Sequence, residues 1–155
     1  MANQDPNADR ELRFSRLLNA PRELVFKVWT SPEHVAKWWG PEGFTNTIHE
    51  MQVAPGGKWL LTMHGPDGRD YPNTILYREV IAPEKLSWWH GSDEPGDPNG
   101  FEVTVEFEDR GAQTLLTMRM LFATAAARDF VVREYGAIEG NKQTMDRLEA
   151  YLATV

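Results

Sequence analysis

The sequence predicts an α+β fold in which a curved antiparallel sheet wraps a long C-terminal helix. Apolar and polar residues alternate over most of residues 47–122, and a helical period replaces this alternation from about residue 125 to 152. Short turns rich in Gly and Pro separate the alternating segments, and strands joined in this way form an antiparallel meander. Such a sheet twists and curls, and the helix must bury its apolar stripe against the concave face. The predicted order is β-α-α-β-β-β-β-β-β-α, with an internal cavity between the sheet and the helix.

The N-terminal residues predict the first elements. Residues 1–10 are polar and are expected to form a disordered tail, whereas residues 11–155 are predicted to form a single domain. Residues 11–18 alternate weakly and predict the first strand. Pro21 opens a first helix, because Pro suits the first helical turn, and Ser31 caps a second, short helix.

The middle of the chain predicts consecutive strands joined by turns. Pro55-Gly56-Gly57 and Pro66-Asp67-Gly68 predict hairpin turns, because Gly supplies a positive φ at little cost. Ala82-Pro83-Glu84 joins a further pair of strands. The predicted strands are residues 47–53, 58–64, 71–81 and 86–90.

The last third of the chain predicts a final pair of strands and the long helix. Residues 101–107 alternate most regularly, and residues 115–122 alternate again. Thr124 is the predicted N-cap of one helix over residues 125–152. Two glycines inside this helix each weaken it by about 1 kcal/mol relative to Ala, namely Gly136 and Gly140.

Composition and charge exclude several classes of function. The formal net charge is −7, from 16 basic and 23 acidic residues, which argues against nucleic-acid binding and weakens the case for an anionic membrane surface. The absence of Cys excludes disulfides, thiol nucleophiles and thiolate metal sites. No apolar run is long enough to span a membrane, and the N-terminus does not resemble a signal peptide. We therefore expect a cytoplasmic protein without membrane insertion.

The aromatic content suggests either a large aromatic core or the wall of a cavity. The chain has six Trp, four Tyr and seven Phe, and several Trp lie on short strands near Gly and Pro. Met also suits a cavity that accepts varied shapes, although it fills ordinary cores equally well. The residues expected to contact a ligand are Trp38, Trp39, Phe44, His49, Met51, Trp59, Met63, Tyr71, Trp88, His90, Met118, Met120, Phe122, Phe130 and Tyr135.

The histidines are the candidates for acid/base chemistry. His49 shares strand parity with Met51, and His90 shares parity with Trp88, so both are expected to face the interior. An interior His can serve as a general base near neutral pH, but it can equally be a hydrogen-bonded structural residue. The other two, His34 and His64, are expected to be exposed.

Three short motifs in fixed order resemble a known superfamily. They are Trp38-Trp39-Gly40-Pro41, the Gly56-Gly57 hairpin and Pro83-Glu84-Lys85-Leu86. Over about residues 12–152 the chain resembles the START-like (SRPBCC, helix-grip) superfamily, which includes polyketide cyclases, START lipid-transfer domains and birch-pollen allergens. It is most similar to the bacterial branch that resembles the C-terminal domain of the heat-shock protein 90 ATPase activator. The resemblance implies a helix-grip fold with a cavity beneath the final helix, but one fold hosts many functions.

Two departures limit what the resemblance implies. Members of this branch often carry an Asp and an Arg two residues apart before the Gly-Gly hairpin, where this chain has Gln52 and Ala54. The eukaryotic co-chaperone also has a separate N-terminal domain, for which these 155 residues leave no room. Co-chaperone activity is therefore not carried over to this chain.

The leading hypothesis is binding of a small apolar or aromatic ligand in the internal cavity. One alternative is a cyclase- or hydrolase-like enzyme that uses His49 or His90 as acid/base, and another is a module that contacts a chaperone. No cofactor is expected, because the sequence contains no metal-ligand spacing, phosphate-binding loop or Gly-x-Ser-x-Gly elbow. The expected partner is a small apolar molecule, and the expected state is a monomer or weak homodimer.

Overall fold

The computed structural model describes residues 8–91, 98 and 100–155, apart from the side chains of Ala8 and Tyr135. This part of the chain forms one antiparallel sheet of seven strands and four α-helices. The strands are β1 (Glu11–Leu18), β2 (Thr45–Met51), β3 (Lys58–His64), β4 (Asp70–Ile81), β5 (Lys85–Gly91), β6 (Phe101–Arg110) and β7 (Gln113–Phe122). The helices are α1 (Arg22–Thr30), α2 (Pro32–Trp38), α3 (Ala125–Tyr135) and α4 (Ala137–Leu152).

The sheet confirms the predicted meander. Its strand order is β1-β7-β6-β5-β4-β3-β2, so consecutive strands pair from β2 to β7, and β1 adds beside β7. Every pair is antiparallel. The helices α1 and α2 lie in the connection from β1 to β2, and α3 and α4 follow β7. Because β1 and β2 are the edges of the described sheet, the sheet is open and does not close into a barrel.

The Gly56-Gly57 hairpin is a turn that other residues would not fit. Gly56 has a φ of 81°, which L-residues with a Cβ rarely adopt. A Cβ on Gly57 would lie 2.0 Å from the carbonyl oxygen of Gln52. The two glycines therefore meet two different requirements, a positive φ and a close approach of backbone to backbone.

The final helix differs from the prediction. Instead of one helix over residues 125–152, the chain forms α3 and α4, which are separated by Gly136 with φ 58° and ψ 44°. A left-handed residue ends a helix because it turns the following backbone out of the helical path. The predicted cap at the start of α3 is confirmed, since Thr124 accepts a hydrogen bond from the backbone N–H of Ala127 at 3.0 Å.

The N-terminal tail and the loop before β6 lie largely outside the described residues. Of the predicted tail, Ala8–Arg10 form a short 3-10 turn. Arg10 Nη1 donates a hydrogen bond of 2.8 Å to the carbonyl oxygen of Phe122. This contact ties the start of the described chain to the end of β7.

Two apolar clusters form the core between the sheet and the helices. The larger cluster includes Trp29 and Trp38 from the first two helices, together with Trp59 and Trp88 from the sheet. The smaller cluster joins the end of β7 to α3 and consists of Phe122, Ala127 and Val131. Half-buried residues contact both clusters, and they lie in the region described next.

Candidate functional site

The inner face of the sheet is fully buried along part of its length and half-buried at one end. On β4, Ile75 and Tyr77 are buried, whereas Tyr71 and Asn73, on the same face, are half-buried. On the inner face of β3 and β5, too, buried residues are followed by a half-buried one. We call the half-buried residues of this face the inner-face end: Met63, Tyr71, Asn73, His90, Phe101 and Met120.

Strand register places these residues side by side. Met63 pairs with Tyr71 across β3 and β4, and His90 pairs with Phe101 across β5 and β6. Phe101 and Met120 pack against both apolar clusters. The inner-face end therefore lies where the two clusters meet.

His90 is the polar centre of this region. Its Nε2 lies 3.0 Å from Asn73 Oδ1, and because an amide oxygen only accepts, Nε2 carries the donated proton. The imidazole plane lies 11° from the ring of Phe101, with the ring centroids 5.0 Å apart. It lies 16° from the ring of Trp39, at 6.5 Å. The hydrogen bond to Asn73 and the two nearly parallel aromatic rings help to hold His90 in place, and the sequence-based expectation that it faces inward is confirmed.

Asn141 adds a buried amide from α4. Its side chain is only 8% exposed, and Nδ2 donates to the sulfur of Met118 at 3.1 Å. A thioether is a weak acceptor, so this amide has a poorer partner than water would provide. The apolar stripe of α4 is interrupted at this position, and that interruption is the sequence signal for an inward-facing polar group.

Arg147 fixes the segment that carries Trp39. Its Nη1 donates to the carbonyl oxygens of Trp39, Gly40 and Pro41 at 3.1, 2.9 and 2.9 Å, and Nη2 reaches that of Lys37 at 3.3 Å. These carbonyls follow the last turn of α2, where the helix dipole favours a cation. Burial lowers the pKa of Arg147, and the charge of Glu42 opposes that effect. Sequence reasoning missed this residue, which ties α4 to the Trp-Trp-Gly-Pro motif.

Several predicted ligand contacts belong to the closed core instead. Trp38, Trp59, Trp88 and Phe122 are at most 1% exposed. The ring centroids of Trp39 and Trp59 are 4.8 Å apart, and Trp39 is buried as well. Met118 is also buried. The indole N–H groups of Trp59 and Trp88 have no hydrogen-bond partner among the described residues. A buried donor without a partner lowers the stability of the fold.

The other predicted contacts divide between half-buried and exposed positions. Phe44, Met51 and Phe130 are half-buried, and the ring of Phe44 lies 5.9 Å from that of Tyr71. The side chain of Tyr135 lies outside the described residues. Asn73 and Phe101 were not predicted, although Asn73 shares its strand face with Tyr71.

The expectation that His49 faces the interior is wrong. The register of β2 and β3 shifts between Ile48 and Glu50, and a bulge of this kind moves the following side chains to the opposite face. His49 is exposed, and its Nε2 lies 2.9 Å from Thr62 Oγ1. It therefore cannot contribute to chemistry at the inner-face end.

The remaining two histidines were both expected to be exposed, and both are hydrogen-bonded. His34 is half-buried, whereas the side chain of His64 is 37% exposed. His34 Nδ1 lies 2.6 Å from the hydroxyl of Tyr151 in α4. His64 lies between Thr47 and Asp70 on the outer face. Among the described residues, no group of three or more potential ligands could hold a metal ion. The described helices include none that is long and apolar enough to cross a membrane.

Comparison with known proteins identifies the family and the fold. Residues 19–153 match the family model described as activator of Hsp90 ATPase homolog 1-like protein. A solved structure from Arthrobacter aurescens is 21% identical, with a TM-score of 0.87 over 98% of this chain and 91% of that chain. One from Rhodobacter sphaeroides is 25% identical, with a TM-score of 0.83 over 97% of each chain. The AHSA1 protein of Silicibacter pomeroyi is 20% identical, with a TM-score of 0.75 over 93% of this chain and 98% of that chain.

These similarities confirm the helix-grip fold that the sequence motifs predicted. No curated protein matches the chain. Because the family model covers most of the chain, from the residue after β1 through α4, the protein belongs to the activator of Hsp90 ATPase homolog 1-like family.

Proposed function

We propose that this protein binds a small apolar or aromatic molecule at the inner-face end, between the concave face of the sheet and the helices α3 and α4. The observation that carries the proposal is the incomplete burial of Phe101 and Met120, which contact both apolar clusters. Apolar side chains at such a position gain stability when a further apolar group covers them. Binding sites of this kind are largely apolar, with a few polar groups that orient the ligand.

The polar groups described in this region can orient a ligand. The amide oxygen of Asn73 accepts from His90 Nε2 and holds the imidazole ring, and the buried amide of Asn141 faces the interior from α4. His90 and Asn141 are therefore candidate contacts for a polar group on the ligand.

A titration with an apolar fluorescent probe tests the proposal. Anilinonaphthalene sulfonate should bind the folded chain saturably, and aromatic or fatty-acid-like competitors should displace it. Two substitutions that fill the inner-face end, Met120→Trp and Met63→Trp, should each weaken binding at least about tenfold, which corresponds to about 1.4 kcal/mol.

Two substitutions of similar size on the opposite face of the same strands serve as controls. Leu121→Trp and Thr62→Trp should leave probe affinity unchanged, because the side chains of adjacent strand residues point to opposite faces. Circular dichroism establishes which variants are folded. Saturable binding that survives unchanged in a folded filling variant, or no saturable binding by the parent chain, would overturn the proposal.

The family description favours a second candidate function, contact with a chaperone of the Hsp90 type. A steady-state ATPase assay with an Hsp90 chaperone separates it from ligand binding. Saturable stimulation that persists in Met120→Trp would support a contact surface independent of the inner-face end. If ATPase stimulation is lost in the same variants that lose probe affinity, the two activities depend on the same site.

A further inference from the structure

A hydroxyl, an imidazole and a carboxylate lie in line on the outer face of the sheet. Thr47 Oγ1 is 2.7 Å from His64 Nε2, and His64 Nδ1 is 2.7 Å from Asp70 Oδ1. The three residues come from β2, β3 and β4, and His64 and Asp70 are directly opposite each other in the register. Neither the family description nor the proposed ligand site accounts for this line of contacts.

The carboxylate fixes which imidazole nitrogen carries the proton. An ionised Asp70 only accepts hydrogen bonds, so His64 Nδ1 is the donor in that contact. In the neutral imidazole Nε2 is then the acceptor, and the hydroxyl of Thr47 donates to it. This is the arrangement in which a His can remove a hydroxyl proton while a carboxylate stabilises the resulting imidazolium.

The group is accessible to a small molecule. Thr47 is exposed, and the His64 and Asp70 side chains are 37% and 63% exposed. Within the described sheet β2 is an edge strand.

We propose that Thr47 is a nucleophile that accepts acyl groups from small activated esters, such as aryl esters and thioesters of short acids. Thr47 Oγ1 attacks the carbonyl carbon, and its proton passes to His64 Nε2. The bond between the carbonyl carbon and the leaving oxygen or sulfur then breaks, and the proton on Nε2 goes to the leaving group. Thr47 is left as an acyl ester, which water cleaves by the same proton transfers to regenerate the hydroxyl and release the acid.

The same face carries a matched comparison. Thr62 Oγ1 lies 2.9 Å from His49 Nε2, and Thr62 is directly opposite Thr47 in the register of β2 and β3. Among the described residues, no carboxylate is hydrogen-bonded to the other ring nitrogen of His49. Thr62 and His49 therefore form a hydroxyl–imidazole pair that lacks a carboxylate. We expect Thr62 to accept acyl groups much more slowly than Thr47.

Incubation with p-nitrophenyl acetate tests the proposal. We expect release of p-nitrophenolate together with a mass increase of one acetyl group, which peptide mapping should place on Thr47. Thr47→Val should abolish the modification, and His64→Gln and Asp70→Asn should each slow it at least about a hundredfold, the low end of general-base contributions. Thr62→Val and His49→Gln should leave the rate unchanged.

The variants also define the contradicting results. Acetyl groups found on lysines or the N-terminal amine but not on Thr47 would overturn the proposal. So would a Thr47→Val rate equal to that of the parent chain, because His64 would then act on water directly. Because the three side chains are at least partly exposed, circular dichroism of each variant should match the parent, and a probe titration of the inner-face end should be unaffected.

Discussion

Arg147 shows how one side chain can hold several main-chain groups in place. The guanidinium presents several N–H donors in a fixed plane, and here they reach the carbonyl oxygens that follow the end of α2. Gly40 and Pro41 end the helical path at this point, so Arg147 supplies donors that a continued helix would have supplied. The carbonyl oxygen of Pro41 also accepts from the backbone N–H of Phe44. Trp39 is fixed by the same contacts, and through Trp39 the stacking on His90 is fixed as well.

Replacing Arg147 should destabilise the protein far more than replacing a surface arginine. We expect Arg147→Ala to lower the free energy of unfolding by about 3 kcal/mol, because it removes charge-assisted hydrogen bonds to four carbonyl oxygens. Arg147→Lys should recover about half of that loss, because an ammonium lacks the planar arrangement of donors. Urea unfolding measures both values.

Arg133→Ala is the matched control for that experiment. Arg133 pairs with its neighbour Glu134 on the surface of α3, with the two side chains 68% and 52% exposed, and such pairs contribute less than about 1 kcal/mol. Equal losses for Arg147→Ala and Arg133→Ala would show that the contacts of Arg147 contribute no more than a surface charge.

Glu11 should make stability depend on pH in the acid range. Burial raises the pKa of its carboxyl, but hydrogen bonds from Arg119 and Arg13 outweigh that effect and lower the pKa below its ordinary 4.5. A carboxyl with a depressed folded-state pKa stabilises the protein above its unfolded pKa, and this stabilisation is lost as the pH falls through the folded value. We expect Glu11→Gln to cost about 1 kcal/mol near neutral pH and progressively less below the unfolded pKa.

Urea unfolding of both chains over a pH series measures this dependence. Glu108→Gln is the control, because Glu108 likewise pairs with an arginine two residues along its strand, but both side chains are more than half exposed. Its effect should be small and change little with pH. A Glu11→Gln effect that stays constant into strong acid would contradict the assigned role of the carboxylate.

The elements that local pattern specifies were predicted well, and the errors came from single residues. Strand alternation predicted the meander because the side-chain period of a strand is two. The bulge at Ile48–Glu50 reversed the parity for His49, and no composition signal marks it. The helix break at Gly136 was visible as a glycine, but a glycine in a helical pattern can be tolerated, so its left-handed φ could not be predicted from the pattern alone.

The candidate site was less predictable than the fold, for a related reason. Alternation identifies which side chains face inward, and it placed His90 and Met120 correctly on that face. It does not say how far along the strand burial becomes complete, which depends on where the helices end. Trp59 and His90 are both inward-facing, yet Trp59 is closed core and His90 is half-buried.

The two glycines of the C-terminal region should respond to Ala in opposite directions. Gly136 has a positive φ of 58°, and no heavy atom lies within 4 Å of the point that a Cβ would occupy, so Gly136→Ala should cost about 1 kcal/mol from backbone strain alone. Gly140 is helical, and its Cβ would meet Pro41 Cγ at 3.4 Å, an ordinary contact. Gly140→Ala should therefore stabilise α4 by up to about 1 kcal/mol.

Thermal or urea unfolding of the two variants distinguishes two helices from one. If α3 and α4 were a single continuous helix in solution, both substitutions would raise helix propensity and both would stabilise. Stabilisation by Gly136→Ala would therefore contradict the observed break.

At the scale of the whole molecule, the packing is uneven from one end to the other. Five tryptophans meet where α1 and α2 cover the sheet, namely Trp29, Trp38, Trp39, Trp59 and Trp88. The ring centroids of Trp29 and Trp38 are 4.8 Å apart, and those of Trp29 and Trp88 are 6.1 Å apart. The smaller cluster under α3 closes the other part of the inner face. An aromatic core of this size supplies much of the burial that stabilises the fold, which leaves the less buried residues between the clusters available for binding.

The buried aromatic core should also make the protein sensitive to alkali through Tyr77. This side chain is 2% exposed, and burial raises the pKa of its phenol well above the ordinary 10.0. Above pH 10 the unfolded chain therefore ionises Tyr77 while the folded chain does not, so the unfolded state binds fewer protons and stability falls as the pH rises. One such group lowers the free energy of unfolding by up to about 1.4 kcal/mol per pH unit.

Tyr77→Phe should remove that contribution and move the midpoint of alkaline unfolding to higher pH, with little change near neutrality, because the phenyl ring fills nearly the same space. Near-ultraviolet circular dichroism during a pH titration follows the loss of aromatic packing. Tyr71→Phe is the control on the same strand and face, since Tyr71 is only half-buried and its removal should shift the midpoint much less. If the two variants shift the midpoint of alkaline unfolding equally, general tyrosine ionisation drives the transition. A shift that only Tyr77→Phe produces would connect alkaline unfolding to the opening of the core beneath α1 and α2.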